Sequence, residues 1–258
     1  MPKYYNPYHP TDRRKMVLSQ DQMELNAKFI YDYMHTKYGW TLTAICGMLG
    51  NIEAESTMNP ARPQDNAVNN GWYPSCPGYR GDAPNPTTTW YGYGLFQVTP
   101  YMALEGKRYN PYNFGNWAYS NGYTFSHSSG GSGGEMEVQL DWLMSGNPEK
   151  AFYNTAQPNN NQQKWYADSR SPIKGISTPS LYGKLTQSPE LCAEVFYWNL
   201  ERSGALSVGN RPSMARKWYS FLSSYTPSPP EPEPPTPKPP SKSKTNFIII
   251  AYGSGLLK

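Results

Sequence analysis

Two carboxylates within one short stretch are the first candidates for chemistry in this chain. Glu53 and Glu55 both lie in residues 39–60. A carboxyl group that is partly removed from water can stay protonated near neutral pH and act as a general acid. Which of the two is removed from water depends on the secondary structure that carries them.

The spacing of apolar residues predicts a helix that ends near Asn59-Pro60. An α-helix turns about 100° per residue, and the residue before a proline is disfavoured in the helical region. With Met48 at the centre of the helical wheel, the residues within about 60° of it are Thr41, Ala44, Ile45, Ile52 and Glu55. Glu55 is therefore predicted on the buried face of the helix, and Glu53 is predicted to point away from it.

The predicted position of Glu55 favours its protonated form for two reasons. Burial disfavours the anion, and so does the negative C-terminal end of the helix dipole. A general acid must hold such a proton, which makes Glu55 the candidate catalytic residue. One alternative stays open for Glu55. It could be a structural glutamate held in the core by a hydrogen-bonded partner, because structural ionic networks also perturb pKa values.

Composition limits the classes of partner. The 258 residues could form one large domain or two modest ones. Aromatic residues reach 15%, with 22 Tyr and 8 Trp, and such rings suit stacking on sugars or packing against a partner. The net charge of +4 suits anionic surroundings such as a bacterial cell wall. No dense run of Lys and Arg is present, so no nucleic-acid partner is expected.

No metal or cofactor is predicted from the Cys and His residues. Their positions show no metal-ligand spacing. These residues are Cys46, Cys76, Cys192, His9, His35 and His127. The N-terminal residues lack the apolar run of a signal peptide, and no stretch is long enough to span a bilayer. We therefore expect synthesis in a cytoplasm.

A long loop is predicted after the glutamate helix, because residues 60–89 are rich in Pro, Gly and Asn. Loops of this length in a compact domain are usually functional or mobile. Trp72 is a candidate for stacking on a substrate. Asp65 and Asp82 are the other chemically interesting residues of this loop, although aspartate is also common in turns.

Residues 90–100 combine aromatic residues with glycines, which suggests a short strand or tight turn where a ligand approaches the backbone closely. Tyr93 and Phe96 are therefore candidate substrate-binding residues. The amide of Gln97 could hold a sugar hydroxyl. The alternative for Gln97 is a structural role in which its amide caps backbone groups.

The chain is predicted to have four parts. Residues 1–18 form an extended arm, and residues 19–225 form the folded domain. Within the domain, Ser19 and Gln22 fit a capping box, Gly39 fits a C-terminal cap and Thr41 fits an N-cap. Residues 226–244 form a proline-rich linker. Residues 245–258 form a hydrophobic tail that suits docking on a partner protein or shallow contact with a membrane.

Several motifs together resemble the phage tail lysozymes, which are virion-associated peptidoglycan hydrolases at the tail tips of small phages that infect Gram-positive bacteria. The first motif is residues 40–60, WTLTAICGMLGNIEAESTMNP. The others are GYGLFQVTP at 92–100, FYWNLER at 196–202, and residues 211–219. They occur in the order typical of the family and cover about residues 19–222.

This resemblance implies a lysozyme-like, predominantly helical α+β fold. It implies a muramidase-type glycosidase that cleaves the β-1,4 glycan bonds of peptidoglycan at the phage tail tip, with other tail proteins as partners. Glu55 matches the catalytic glutamate of the family, and Gln97 falls where the superfamily lines its glycan cleft. Glu201 and Arg202 match a pair that we interpret as structural. The proline-rich linker and short tail stand where many members carry a peptidase domain.

Glycoside hydrolysis usually needs a second carboxylate beside the acid. Asp65 and Asp82 are the candidates. Without a second carboxylate, Glu55 would act alone and a hydroxyl of the substrate would attack, as in lytic transglycosylases. Two further alternatives are an endolysin released at host lysis and a non-catalytic tail component that binds the wall.

Overall fold

The structure, a computed structural model, describes residues 3–9, 12–62, 92–97, 104–105, 108–109, 114–123, 134–151, 164–201 and 207–226. All of these lie in one unit, residues 1–228. The predicted tail, and the predicted linker beyond residue 226, lie outside the described residues.

The described part of the chain is mostly helical, as the sequence predicts. Its helices are a short 3-10 helix Arg13–Met16, α1 Gln20–Tyr38, α2 Leu42–Ser56, α3 Phe114–Ser120, α4 Met136–Met144, α5 Pro179–Tyr182, α6 Pro189–Phe196, a π-helix Tyr197–Glu201 and α7 Arg211–Leu222. Two strands of two residues each, β1 Leu104–Glu105 and β2 Arg108–Tyr109, pair antiparallel with Leu104 opposite Tyr109.

Capping residues mark both ends of α1 and the start of α2. The capping box of Ser19 and Gln22 is present, and Gly39 ends α1 in the left-handed conformation with φ 62°. The side chain of Thr41 accepts a hydrogen bond from the backbone of Ala44 at the start of α2. These three predictions are confirmed, because caps depend on residues only a few positions apart.

Helix α2 is the centre of the fold. Every residue from Ala44 to Ile52 is buried, and the helix packs against α1, α6 and α7. A helix surrounded in this way has no single buried stripe. The prediction that Glu53 points away from the core is therefore wrong: its side chain is 12% exposed, compared with 19% for Glu55.

Two glycines let neighbouring helices approach α2 closely. A Cβ atom on Gly47 would lie 2.5 Å from the Cβ atom of Cys192 in α6. A Cβ atom on Gly50 would lie 2.5 Å from the backbone oxygen of Arg211 and 2.8 Å from the backbone nitrogen of Ala215, both in α7. Such contacts are too short for a real Cβ, so α6 and α7 can take these positions only against glycine.

The described residues of the N-terminal arm are attached to the end of α2. The Nδ2 atom of Asn59 donates hydrogen bonds to the backbone oxygens of Pro7 and Met16, each at 2.8 Å. The Nδ2 atom of Asn26 donates to the backbone oxygens of Tyr5, at 2.7 Å, and Met58, at 2.9 Å. Both asparagines are buried. The arm is thus joined to the chain immediately after Glu55.

We expect Asn59→Ala to destabilise the protein. The change leaves the buried carbonyls of Pro7 and Met16 without their donor, at a cost of about 1–3 kcal/mol each. Chemical denaturation should show a lower free energy of unfolding. Asn121→Ala, which removes one exposed hydrogen bond to the backbone of Trp117, is the control and should change stability little. Equal stabilities of the two variants would contradict the role given to Asn59.

We expect Gly50→Ala to destabilise the contact between α2 and α7, since the atoms met by the new methyl group are backbone atoms that cannot rotate away. Overpacking of this kind typically costs about 1–3 kcal/mol. Ala54→Ser adds one atom on the exposed side of the same helix and serves as the control. A Gly50→Ala protein with the thermal midpoint of wild type would show that α7 does not need this close approach.

Candidate active site

Glu55 lies in the last turn of α2, and its carboxylate is shared between protein and solvent. Oε1 accepts a hydrogen bond from Nη2 of Arg211, and the two side chains form an ion pair. Oε2 accepts no hydrogen bond from any residue in the described part of the chain. With the side chain 19% exposed, one carboxylate oxygen is left for a ligand.

Glu53 has a different environment, two residues earlier in the same helix. Its Oε1 accepts from Nζ of Lys217 at 2.6 Å, and its Oε2 accepts from Nε1 of Trp218 at 2.7 Å. Both oxygens of Glu53 are therefore used in joining α2 to α7. This is the arrangement of a structural carboxylate.

The sequence reasoning missed the pairing of Arg211 with Glu55. Arg211 is the first residue of α7, and its guanidinium carbon lies 4.9 Å from the ring centroid of Tyr197 in the π-helix. One signal was available in the sequence. A cation at a helix N-terminus opposes the helix dipole, so an arginine at that position suggests that its charge is needed elsewhere.

The turn that follows Glu55 is strained. Thr57 and Met58 have φ values of 52° and 62°, a region that non-glycine residues rarely adopt and that is least favourable for a β-branched residue. The turn is held by Asn26 on the Met58 carbonyl and by Nη1 of Arg62, which donates to Oγ1 of Thr57 at 3.2 Å. Strain of this kind persists where surrounding contacts fix it, often at functional sites.

Residues 92–97 form a turn that packs against the chain after Glu55. The backbone nitrogen of Gly94 donates to the oxygen of Arg62 at 2.8 Å. The buried Gln139 of α4 bridges the two segments, since its Nε2 donates to the Pro60 oxygen at 2.6 Å and its Oε1 accepts from Leu95 at 2.7 Å. This motif therefore supports the strained turn.

Three predicted substrate-binding residues lie in this turn and have structural positions. Tyr93 and Phe96 are buried in the hydrophobic core, so neither ring can stack on a sugar. The Nε2 atom of Gln97 donates to the backbone oxygens of Arg62, at 2.9 Å, and Gly94, at 3.0 Å. The Gln97 amide therefore caps backbone groups, which was the alternative to binding a sugar hydroxyl. Both rings that were predicted to bind substrate contribute to the hydrophobic core in the described structure.

The remaining predicted site residues, Trp72, Asp65 and Asp82, lie outside the described residues, as does Arg202. Glu201, the predicted structural partner of Arg202, is buried at the end of the π-helix.

The π-helix is anchored on its other side by a second charged cluster. The Asn199 amide donates to the Ile176 oxygen at 2.8 Å, and the guanidinium of Arg170 lies 4.3 Å from the Trp198 ring. Burial opposes ionisation of Asp168, but hydrogen bonds from Arg170 and Tyr166 outweigh it and lower the pKa of Asp168 to about 2. The cluster therefore stays charged and fixes the π-helix that carries Tyr197.

The described residues offer no reactive thiol and no metal-binding cluster. Cys46 and Cys192 are free and buried, and burial raises the pKa of both thiols, to about 12 for Cys192. Neither is a thiolate nucleophile near neutral pH. In the same part of the chain, no group of three or more His, Cys, Asp or Glu residues could hold a metal ion. No described helix has the length and hydropathy needed to cross a membrane.

The sequence is similar to those of known phage proteins. The sequence model of the phage tail lysozyme family matches residues 25–222. The chain is also 28% identical over 209 residues to morphogenesis protein 1 of Bacillus phage B103. The match covers 81% of this chain and 42% of that protein, so the chain spans less than half the length of this relative. Because the family match includes α2, the π-helix and α7, the chain belongs to the phage tail lysozyme family.

Proposed function

We propose that the protein is a muramidase-type glycosidase of a phage tail, which cleaves β-1,4 glycan bonds of peptidoglycan with Glu55 as the general acid. Membership of the phage tail lysozyme family supports a lysozyme-like role associated with a phage tail. The similarity to a phage morphogenesis protein supports its presence in the virion. Cleavage of the wall at the tail tip would let DNA pass into the host cell.

The contrast between Glu55 and Glu53 carries the assignment of the acid. Both oxygens of Glu53 accept hydrogen bonds from α7, whereas Glu55 has one oxygen that no described residue occupies. A general acid must bring a carboxyl oxygen within hydrogen-bonding reach of the leaving group. Of the two glutamates, Glu55 is the one with an oxygen that no described residue occupies, which supports its assignment as the acid.

In the proposed reaction, the O–H bond of the Glu55 carboxyl breaks and its proton passes to the glycosidic oxygen as the glycan bond breaks. The oxocarbenium-like centre is then attacked by water or by a second nucleophile. Asp65 and Asp82 stay our candidates for the second carboxylate. The Arg211 guanidinium is the cation beside the carboxylate that forms when Glu55 loses its proton.

Partners other than peptidoglycan are proposed from the sequence. Residues 245–258 would dock on other phage tail proteins or contact a membrane, and the proline-rich linker would give them reach. The protein would be made in the host cytoplasm and act on the cell wall from the virion.

We expect Glu55→Gln to abolish lysis of bacterial walls, because the amide keeps the shape of the side chain and has no acidic proton. General acid catalysis typically contributes about 10²–10⁴-fold to a rate, so turbidity assays on purified walls should show a loss of that size. Glu53→Gln is the matched control, two residues away on the same helix, and should retain lysis. Wall lysis by Glu55→Gln at the wild-type rate would remove Glu55 from the reaction.

The products of digestion distinguish hydrolysis from transglycosylase action. If a carboxylate such as Asp65 or Asp82 assists Glu55, water enters the cleaved bond and mass spectrometry should find muramic acid at the reducing ends. Anhydro-muramic ends would contradict the muramidase proposal and support a lytic transglycosylase that uses Glu55 alone. Asp65→Asn and Asp82→Asn, assayed in the same way, identify which of the two assists.

A further inference from the structure

The Glu55–Arg211 pair is more enclosed than a surface ion pair. The Arg211 side chain is 13% exposed and that of Glu55 is 19% exposed. Exposed ion pairs contribute little, because water and salt screen them. In this pair the geometry of each partner therefore depends strongly on the other.

Two neighbours hold the guanidinium of Arg211, and a third holds its backbone. Its face lies against the ring of Tyr197, at 4.9 Å from the centroid, and its Nη1 donates to the oxygen of Val208 at 3.2 Å. Its backbone lies against Gly50 of α2, at a distance that excludes any side chain at position 50. The guanidinium group, one of its nitrogens and the backbone of Arg211 are all held by these contacts. Arg211 therefore presents Nη2 to Glu55 in one orientation.

Helix stability does not explain this arrangement. The cation stands at the N-terminus of α7, where the helix dipole is unfavourable for it. Its Nε atom is buried with no hydrogen-bond partner among the described residues, and buried donors left unsatisfied also cost stability. Positions that break local rules in this way are expected at functional sites.

We propose that Arg211 is the positioning residue for Glu55: it fixes Oε1, so that Oε2 faces the glycosidic oxygen, and it stabilises the carboxylate left after proton transfer. This inference rests on the proposed role of Glu55 as general acid. The guanidinium stays protonated throughout, while the proton of Glu55 passes to the leaving group and is recovered from the attacking water.

A purely structural role is the competing explanation, because Arg211 also ties α7 to α2. The structure offers a matched control for it. Lys217 and Glu53 form a second ion pair, at 2.6 Å, between the same two helices. Loss of Lys217 weakens the same helix contact without touching Glu55.

The test compares Arg211→Met, Arg211→Lys and Lys217→Met, with Glu55→Gln as the reference for lost chemistry. Each variant is assayed for thermal midpoint, kcat and KM of glycan cleavage. Among the described residues, the charged groups near the end of α2 also include Arg62 and the Glu53–Lys217 pair. The Arg211 variants keep these groups, whereas Lys217→Met removes the pair with Glu53 and the contact between Lys217 and the Trp218 ring.

We expect Arg211→Met to lower kcat by about 10²-fold, the scale of a misplaced catalytic group, with little change in KM. Arg211→Lys should recover part of kcat, since it keeps the charge and loses the planar geometry. Lys217→Met should lower the thermal midpoint and leave kcat and KM close to those of wild type.

The same kcat and KM for Arg211→Met and Lys217→Met would overturn the proposal. If Arg211→Met does not fold, the kcat of Arg211→Lys is the deciding measurement. A wild-type kcat in Arg211→Lys would overturn the proposal. Failure of the proposed function looks different, because Glu55→Gln would then be active whatever the Arg211 variants do.

Discussion

The burial of most of α2 is the constraint on which the rest of this domain depends. A central helix has to be apolar along most of its length, and residues from Ala44 to Ile52 meet that condition. It also needs close neighbours, and Gly47 and Gly50 remove the side chains that would hold α6 and α7 away. The same close approach brings Arg211, the first residue of α7, to Glu55 in the last turn of α2. Packing and the candidate active site therefore have a common origin.

Segments far apart in the sequence hold the strained turn after Glu55. The N-terminal arm is bound through Asn59, the turn at residues 92–97 is bound through Arg62, and α4 contributes Gln139. Each of these contacts satisfies a backbone group that would otherwise be buried without a partner. The glycine and glutamine motif at 92–97 thus contributes through the backbone, by fixing the chain that follows α2. The position of Glu55 depends on all three.

Features that depend on neighbours in the chain could be predicted from the sequence. The caps at Ser19, Gly39 and Thr41 and the mostly helical architecture followed from local chemistry and periodicity. Membership of the family followed from motifs that keep their order. The orientation of Glu53, the burial of Tyr93 and Phe96, and the partner of Glu55 could not be read in this way. They depend on contacts with residues distant in the sequence, such as Lys217 for Glu53, Phe196 for Phe96 and Arg211 for Glu55, which a helical wheel or a composition cannot include.

The most direct measurement of the central claim is the crystal structure of Glu55→Gln with a bound peptidoglycan glycan. The account predicts that the side-chain atom replacing Oε2 lies within about 2.6–3.2 Å of a glycosidic oxygen, the reach of a general acid, with Arg211 on the opposite oxygen position. A glycan whose scissile bond lies beyond the reach of residue 55 would contradict the account.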